Sequence, residues 1–158
     1  AKLYYPDNTI QHAGVVVGLG GVAAHVLCKL PRDAEGYMGR LRCVQEISAV
    51  TAACMMVKTS VFKAVGGFDE ELKVAFNDID LCMKVRKYGV KIVFTPYAEL
   101  YHYESKSRGL EDTPEKVARF NKEIATFEKK WPEILKNGDP YYNPNLTLKS
   151  QDFSLKRI

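Results

Sequence analysis

The chain has 158 residues, 46% of them hydrophobic and 27% charged, the balance of one globular domain with enough length to bury a core. Its net charge of +4 is spread among acids and is too weak for nucleic acid, although the local excess at Lys84, Arg86, Lys87, Lys91 and again at Lys106, Arg108 suits a phosphorylated substrate. No apolar run approaches the ~20 residues of a membrane span, no signal peptide opens the chain, and Cys28, Cys43, Cys54 and Cys82 form no C-x-x-C pair, so they read as reduced, mostly buried thiols of a cytosolic protein.

The chain starts abruptly at Ala1, as a piece of a longer protein would. Tyr4-Tyr5-Pro6-Asp7-Asn8 is turn chemistry, followed by a short apolar strand over 13–17. Residues 18–39 are rich in glycine and polar groups and read as a long, partly irregular loop. The run "AVTAACMMV", residues 49–57, has the length and continuous apolarity of a central strand buried on both faces. A short helix over 59–64, capped at Lys58 or Thr59, is stopped by Gly66-Gly67. A second helix over 78–88 opens on an acidic cap and ends at Gly89. "KIVF" and "AELYHY" are two more short strands. Thr113-Pro114 opens an amphipathic helix whose Val117, Phe120, Ile124, Phe127 and Trp131 form a core-facing stripe, ended by Pro132. The remaining residues show no period and are expected to be an extended tail. The fold class that follows is α/β, a mixed sheet with flanking helices.

Within the loop, Gly18-Leu19-Gly20-Gly21-Val22-Ala23 matches the G-x-G-x-x-A form of the dinucleotide fingerprint. That reading needs a helix from Gly20 and an acid on a second strand ~20 residues on. Here Pro31 intervenes early, and Asp33 and Glu35 fall in "PRDAEG", so the glycines are expected to form a loop without a pyrophosphate cradle.

A denser constellation follows: Gly66-Gly67-Phe68-Asp69-Glu70, then Asn77-Asp78-Ile79-Asp80-Leu81, Lys-Tyr-Gly-Val-Lys-Ile, and Tyr101-His102-Tyr103. Carboxylates in a first helical turn suit the positive end of the dipole, so Asp78 alone could be a plain cap and Asp80 an orienting group. His102 in a tyrosine-rich strand could equally be a structural, hydrogen-bonded histidine, and His12 and His25 read as loop residues.

In that order, with "PDNTIQHAGVVVGLGG", "TAACMMV" and "DPYYNPNL", these blocks resemble the C-terminal half of glycosyltransferase family 2, inverting enzymes of GT-A fold, and within it the rhamnosyltransferase-like and O-antigen or cell-wall polysaccharide group. The resemblance implies a partial GT-A domain over 1–146, with 147–158 as the tail. It implies Asp78 as catalytic base, with Asn77 where many members have Glu, His102 as a metal ligand, and Gly66, Gly67, Phe68 and Asp69 bordering the acceptor site. It implies a nucleotide-sugar donor, a glycan or lipid-linked acceptor and a divalent cation (Mn2+ or Mg2+). Location in the cytoplasm, at the inner face of the membrane through peripheral association, goes with it.

The residue types fit that chemistry: a carboxylate can take the acceptor's hydroxyl proton, and a hard cation with oxygen and imidazole ligands can offset a departing diphosphate. The departure is that no nucleotide-binding half with its Asp-x-Asp precedes Ala1; Asp78-Ile79-Asp80 spells that motif but opens a helix. This chain alone is therefore expected to be inactive, with apolar surface at its edge favouring a homodimer. The rival reading is a carbohydrate-binding or assembly module offering tyrosine faces to sugars, among them Tyr4, Tyr5, Tyr37, Tyr97 and Tyr101.

Overall fold

The computed structural model describes residues 1–103 and 113–157. Lys106 and Arg108 of the basic excess, and the end of the "TPYAELYHYES" block, lie outside them. Seven short strands and four helices occur in the described part. The strands are β1 (Lys2–Tyr4), β2 (Ile10–His12), β3 (Val15–Val17), β4 (Ala23–His25), β5 (Gln45–Glu46), β6 (Val93–Phe94) and β7 (Glu99–Tyr101). The helices are α1 (Thr59–Ala64), α2 (Asn77–Lys87), α3 (Pro114–Lys130) and α4 (Pro132–Asn137). None is long and apolar enough to cross a membrane.

The fold is mixed α/β. A three-stranded sheet runs β2-β1-β7, with β1 antiparallel to β2 (Leu3 opposite His12) and parallel to β7 (Lys2 opposite Glu99). Two antiparallel pairs, β3 with β4 and β5 with β6, flank it. The glycines directly after β3 form a loop, as their composition requires, but 18–39 is not loop throughout, because Ala23–His25 folds back on β3 as β4. Leu19–Gly21 makes a single three-residue 3-10 turn, and Gly20 sits at φ 66°, a conformation no ordinary helix contains.

The helix ends follow simple rules. Gly66 and Gly67 adopt φ 78° and 65°, and the amide of Gly67 donates to the Phe62 carbonyl at 2.9 Å, closing α1. Thr113 caps α3 through its hydroxyl, which accepts from the Lys116 amide, with Pro114 at the first helical position. α2 differs from the sequence expectation. Its cap is not an acid but Phe76, held left-handed at φ 62° with no side-chain cap bond, and Asn77 and Asp78 already belong to the helix. Left-handed backbone at a bulky residue costs on the order of 1–3 kcal/mol. Two contacts offset it: the Phe76 ring packs on Phe120 and Phe127, at 5.7 and 5.5 Å, and the buried Glu123 of α3 accepts from the amides of Val74 and Ala75.

The apolar run at 49–57 is not a central strand. Ala49 and Val50 are buried, and Ala49 forms a bridge with Val15, but the chain then turns through a 3-10 segment at Ala52–Cys54, and Met56 is fully exposed. Thr51 breaks the run because its hydroxyl accepts from the Ala53 amide, a local bond that competes with any ladder. The stripe of α3 is also shorter than its period: Phe127 is fully buried and Ile124 and Trp131 pack on the core, whereas Val117 and Phe120 are exposed. Cys82 is buried but Cys43 is exposed, so the thiols do not share one environment.

The residues after α4 have little regular structure, yet they pack. Asp139, Tyr142, Leu146 and Phe153 are buried. Leu146 bridges Leu155, and the Phe153 ring stacks on Tyr37 with centroids 5.1 Å apart. Asp139 anchors the segment: its Oδ2 accepts from the Val17 amide at 2.9 Å and its Oδ1 from the Ser48 hydroxyl at 2.6 Å.

Candidate functional site

The start of α2 gathers most of the residues singled out in the sequence. Ile79, Leu81, Cys82, Met83 and Val85 turn inward and fix the rotation of the helix, which leaves Asp78 half-buried at its first turn. Asp78 Oδ1 accepts from the Ile79 amide at 2.9 Å, and Oδ2 from the Ala52 amide at 3.1 Å. Each carboxylate oxygen keeps a further lone pair for a proton or a hydroxyl.

An open depression of about 460 Å³ at the start of α2 is lined by Phe68, Asp69, Glu70, Leu72, Lys73 and Asn77, and Asp78 itself is not in its lining. Phe68 and Asp69, expected to border an acceptor, are thus brought to the residue next to Asp78. Gly66 and Gly67 are not in its lining; they close α1 and aim the chain into it. Asp69 is already engaged, since Lys130 forms an ion pair with it and holds its carboxyl below the usual carboxylate range, helped by the Glu71 amide.

Asp80 is fully buried and does not line the depression. Its Oδ1 accepts from the Trp131 indole N–H at 2.9 Å and pairs with Lys130 at 3.1 Å, and Lys84 lies 3.0 Å from Oδ2. Lys130 therefore spans Asp69 and Asp80 and ties the end of α3 to the site. Sequence reasoning assigned Trp131 to the core stripe and did not single out Lys130. A basic residue next to the aromatic that closes an amphipathic helix was the available signal.

His102, immediately after β7, donates its backbone N–H to the Tyr4 carbonyl, while its Nδ1 is buried without a hydrogen-bond partner. No hydrogen bond or ion pair joins it to Asp78. No group of three or more His, Cys, Asp or Glu able to hold a metal ion occurs among the described residues. A divalent cation would find His102 as one donor here and would need ligands from elsewhere.

The two histidines read as loop residues are not loop residues. His12 belongs to β2 and His25 to β4; His12 is buried, with its Nδ1 3.1 Å from Nδ1 of His25. His12 Nε2 accepts from the Thr51 amide at 3.4 Å. The only sequence signal was a histidine in an alternating apolar stretch, "TIQHAGV".

The basic excess also has a place. Arg86, Lys87 and Lys91 line a cleft of about 710 Å³ together with Lys129, Lys130, Trp131 and Tyr141. Arg86 lies over the Tyr141 ring and donates to Ser48.

With this geometry in hand, three similarities bear on the chain. It is 38% identical over 157 residues to the O-antigen biosynthesis protein RfbC of Myxococcus xanthus, which covers 99% of this chain and 12% of that protein. A stretch of 60 residues, 38% of the chain, is 37% identical to the N-acetylglucosaminyl-diphospho-decaprenol L-rhamnosyltransferase of Mycobacterium tuberculosis, 20% of that protein. This chain is similar to a sugar transferase. It is also 58% identical over 156 residues to the uncharacterized protein y4gI of Sinorhizobium fredii, covering 98% of this chain and 17% of that protein. The chain thus spans less than a fifth of the first and third of these. No protein-family model and no solved structure matches it.

Proposed function

We propose that this chain is the acceptor-side, base-bearing part of an inverting glycosyltransferase of family 2, which moves a sugar from a nucleotide-sugar to a glycan or lipid-linked acceptor in polysaccharide or O-antigen synthesis. The observation that carries the reading is Asp78: a half-buried carboxylate oriented by two backbone amides, in the same helical turn as Asn77, which lines an open depression with Phe68 and Asp69. The similarity to RfbC along nearly the whole chain and to a rhamnosyltransferase over 60 residues supports the same class.

In this reading the acceptor hydroxyl gives its proton to Asp78 as its oxygen attacks the anomeric carbon. The new C–O bond forms on the face opposite the departing nucleoside diphosphate, whose bond to the sugar breaks, and the configuration inverts. The two amides keep the carboxylate oriented without neutralising it, the arrangement a general base requires. A Mn2+ or Mg2+ ion, when bound, would offset the charge of the leaving diphosphate. The donor side and the other metal ligands belong to parts of the protein outside this chain. The reading carries with it a cytoplasmic protein working at the inner membrane face.

The test is Asp78→Asn in the intact protein that carries this chain. Loss of a general base costs ~10²–10⁴ in rate. Asn keeps the shape but has one acceptor oxygen for the two amides that donate to Asp78, so stability is expected to fall by about 1 kcal/mol while donor binding persists. Near wild-type turnover in Asp78→Asn would remove Asp78 from the chemistry.

A further inference from the structure

Three consecutive amides of the turn after Val50 each donate to a different side chain. Thr51 N–H goes to His12 Nε2 at 3.4 Å, Ala52 N–H to Asp78 Oδ2 at 3.1 Å, and Ala53 N–H to the Thr51 hydroxyl at 3.3 Å. His12 and Asp78 therefore hold neighbouring peptide groups of one short turn. We propose that His12 is a positioning residue for Asp78, acting through the Thr51–Ala52 backbone; this rests on the reading of Asp78 as the base.

The hydrogen-bond directions fix the chemistry of the histidine. To accept from Thr51, His12 Nε2 must be unprotonated, so a neutral imidazole carries its proton on Nδ1. That proton points at Nδ1 of His25, 3.1 Å away, which must then be the acceptor. One tautomer satisfies both contacts. With both ring nitrogens used, the buried imidazole leaves no polar atom stranded, which burial at 1% exposure requires. Nor can the ring shift freely: His12 lies in β2 opposite Leu3 of the central strand. An apolar side chain could fill the same space but would offer Thr51 no acceptor. The turn would then lose one of its three tethers, and the peptide that holds Asp78 Oδ2 would be free to rotate. Displacing a reacting group by ~1 Å can cost ~10²-fold in rate, so a tether one peptide away matters.

The experiment has a spectroscopic arm and a kinetic arm, both on the intact protein that carries this chain. In wild type, ring 15N shifts should show His12 with Nε2 unprotonated and Nδ1 protonated, and the Ala52 amide proton should respond when Asp78 is titrated. His12→Leu removes the acceptor, whereas His12→Gln can restore one through its amide oxygen. The response at Ala52 is expected to be lost in His12→Leu and recovered in His12→Gln. In the intact protein kcat should fall about 10- to 100-fold in His12→Leu with KM little changed, and return most of the way in His12→Gln. A protonated Nε2 in wild type overturns the proposal even if His12→Leu does not fold. So does an unchanged Ala52 response or an unchanged kcat in a folded His12→Leu. The spectroscopic arm needs no turnover, so failure of Asp78 as base, read from Asp78→Asn, stays distinguishable from failure of the His12 linkage.

Discussion

Trp131 donates its indole N–H to the carboxylate of Asp80, and that bond, with the Lys130 ion pair to the same carboxylate, locks the end of α3 to the first turn of α2. Asp80 has no exposure to solvent, and Lys84 and Lys130 flank it at 3.0 and 3.1 Å. Two cations and an indole N–H converge on one buried anion, so removing the carboxylate strands the indole N–H and takes this partner from Lys84, while Lys130 keeps Asp69. Breaking a buried pair from one side costs on the order of 3–5 kcal/mol. Asp80→Ala is therefore expected to lower stability by an amount toward the lower end of that range, since both lysines reach solvent, and Trp131→Phe, which loses the indole N–H together with part of the ring's packing, by about 1–3 kcal/mol. Urea unfolding of the two variants checks the order. A loss in Asp80→Ala no larger than that in Trp131→Phe would show that the two lysine ion pairs add nothing to the joint.

Acid should weaken the fold through His12. Burial first, then the charges of His25, the N-terminus and His102, holds its imidazole well below the ordinary value of 6.5. Unfolded, the same group takes a proton near 6.5; folded, it stays neutral. The unfolded state therefore binds more protons below that pH, and stability falls as pH drops, by up to about 1.4 kcal/mol per pH unit. Above about pH 7.5 this contribution is flat. The urea midpoint should decline between pH 7.5 and 5.5 in wild type and decline less in His12→Gln. A wild-type midpoint that holds steady across that window would contradict the burial of a neutral His12.

Thiol chemistry separates the cysteines. Burial pushes the Cys82 thiol up to about 12, so almost none of it is thiolate near neutral pH. Cys43 is exposed. With a thiol-specific chromogenic reagent at pH 8, Cys43 should react promptly and Cys82 only as fast as the protein unfolds. Cys28 and Cys54, partly covered, should fall between. Prompt labelling of Cys82 in the native protein would mean that the packing of α2 is looser than described.

How much of this was legible in the sequence varies with the range of the interaction. α1, α2 and α3 were found to within about a residue because glycine pairs, a Thr-Pro start and helical spacing are local signals. Phe68, Asp69 and Asn77 stand out together because they are near one another in the chain, and the structure brings these three to one depression. What failed depends on distant partners. Residues 49–57 look like a strand until one sees that the amides of Thr51 and Ala52 are claimed by His12 and Asp78, 39 and 26 residues away. Asp139 looked like tail, but its partners Val17 and Ser48 lie 122 and 91 residues upstream. The cap of α2 failed for another reason. Phe76 is a poor cap by type, and it occupies that position because Phe120 and Phe127 hold its ring.

The pairing of β1 has a consequence for synthesis. The strand is made first among the described elements yet lies in the middle of its sheet, and its parallel neighbour β7 begins 97 residues later (Lys2 against Glu99). At ~5–20 residues per second, the ribosome needs about 5–20 s to deliver that partner. During this interval β1 can pair with β2, but its other edge stays an open row of amides and carbonyls, the kind of surface on which nascent chains associate. The two pieces of backbone that frame the sheet can meet only after the intervening helices have emerged. Completion of this sheet is thus a late event for a polypeptide born N-terminus first, however early its first strand appears.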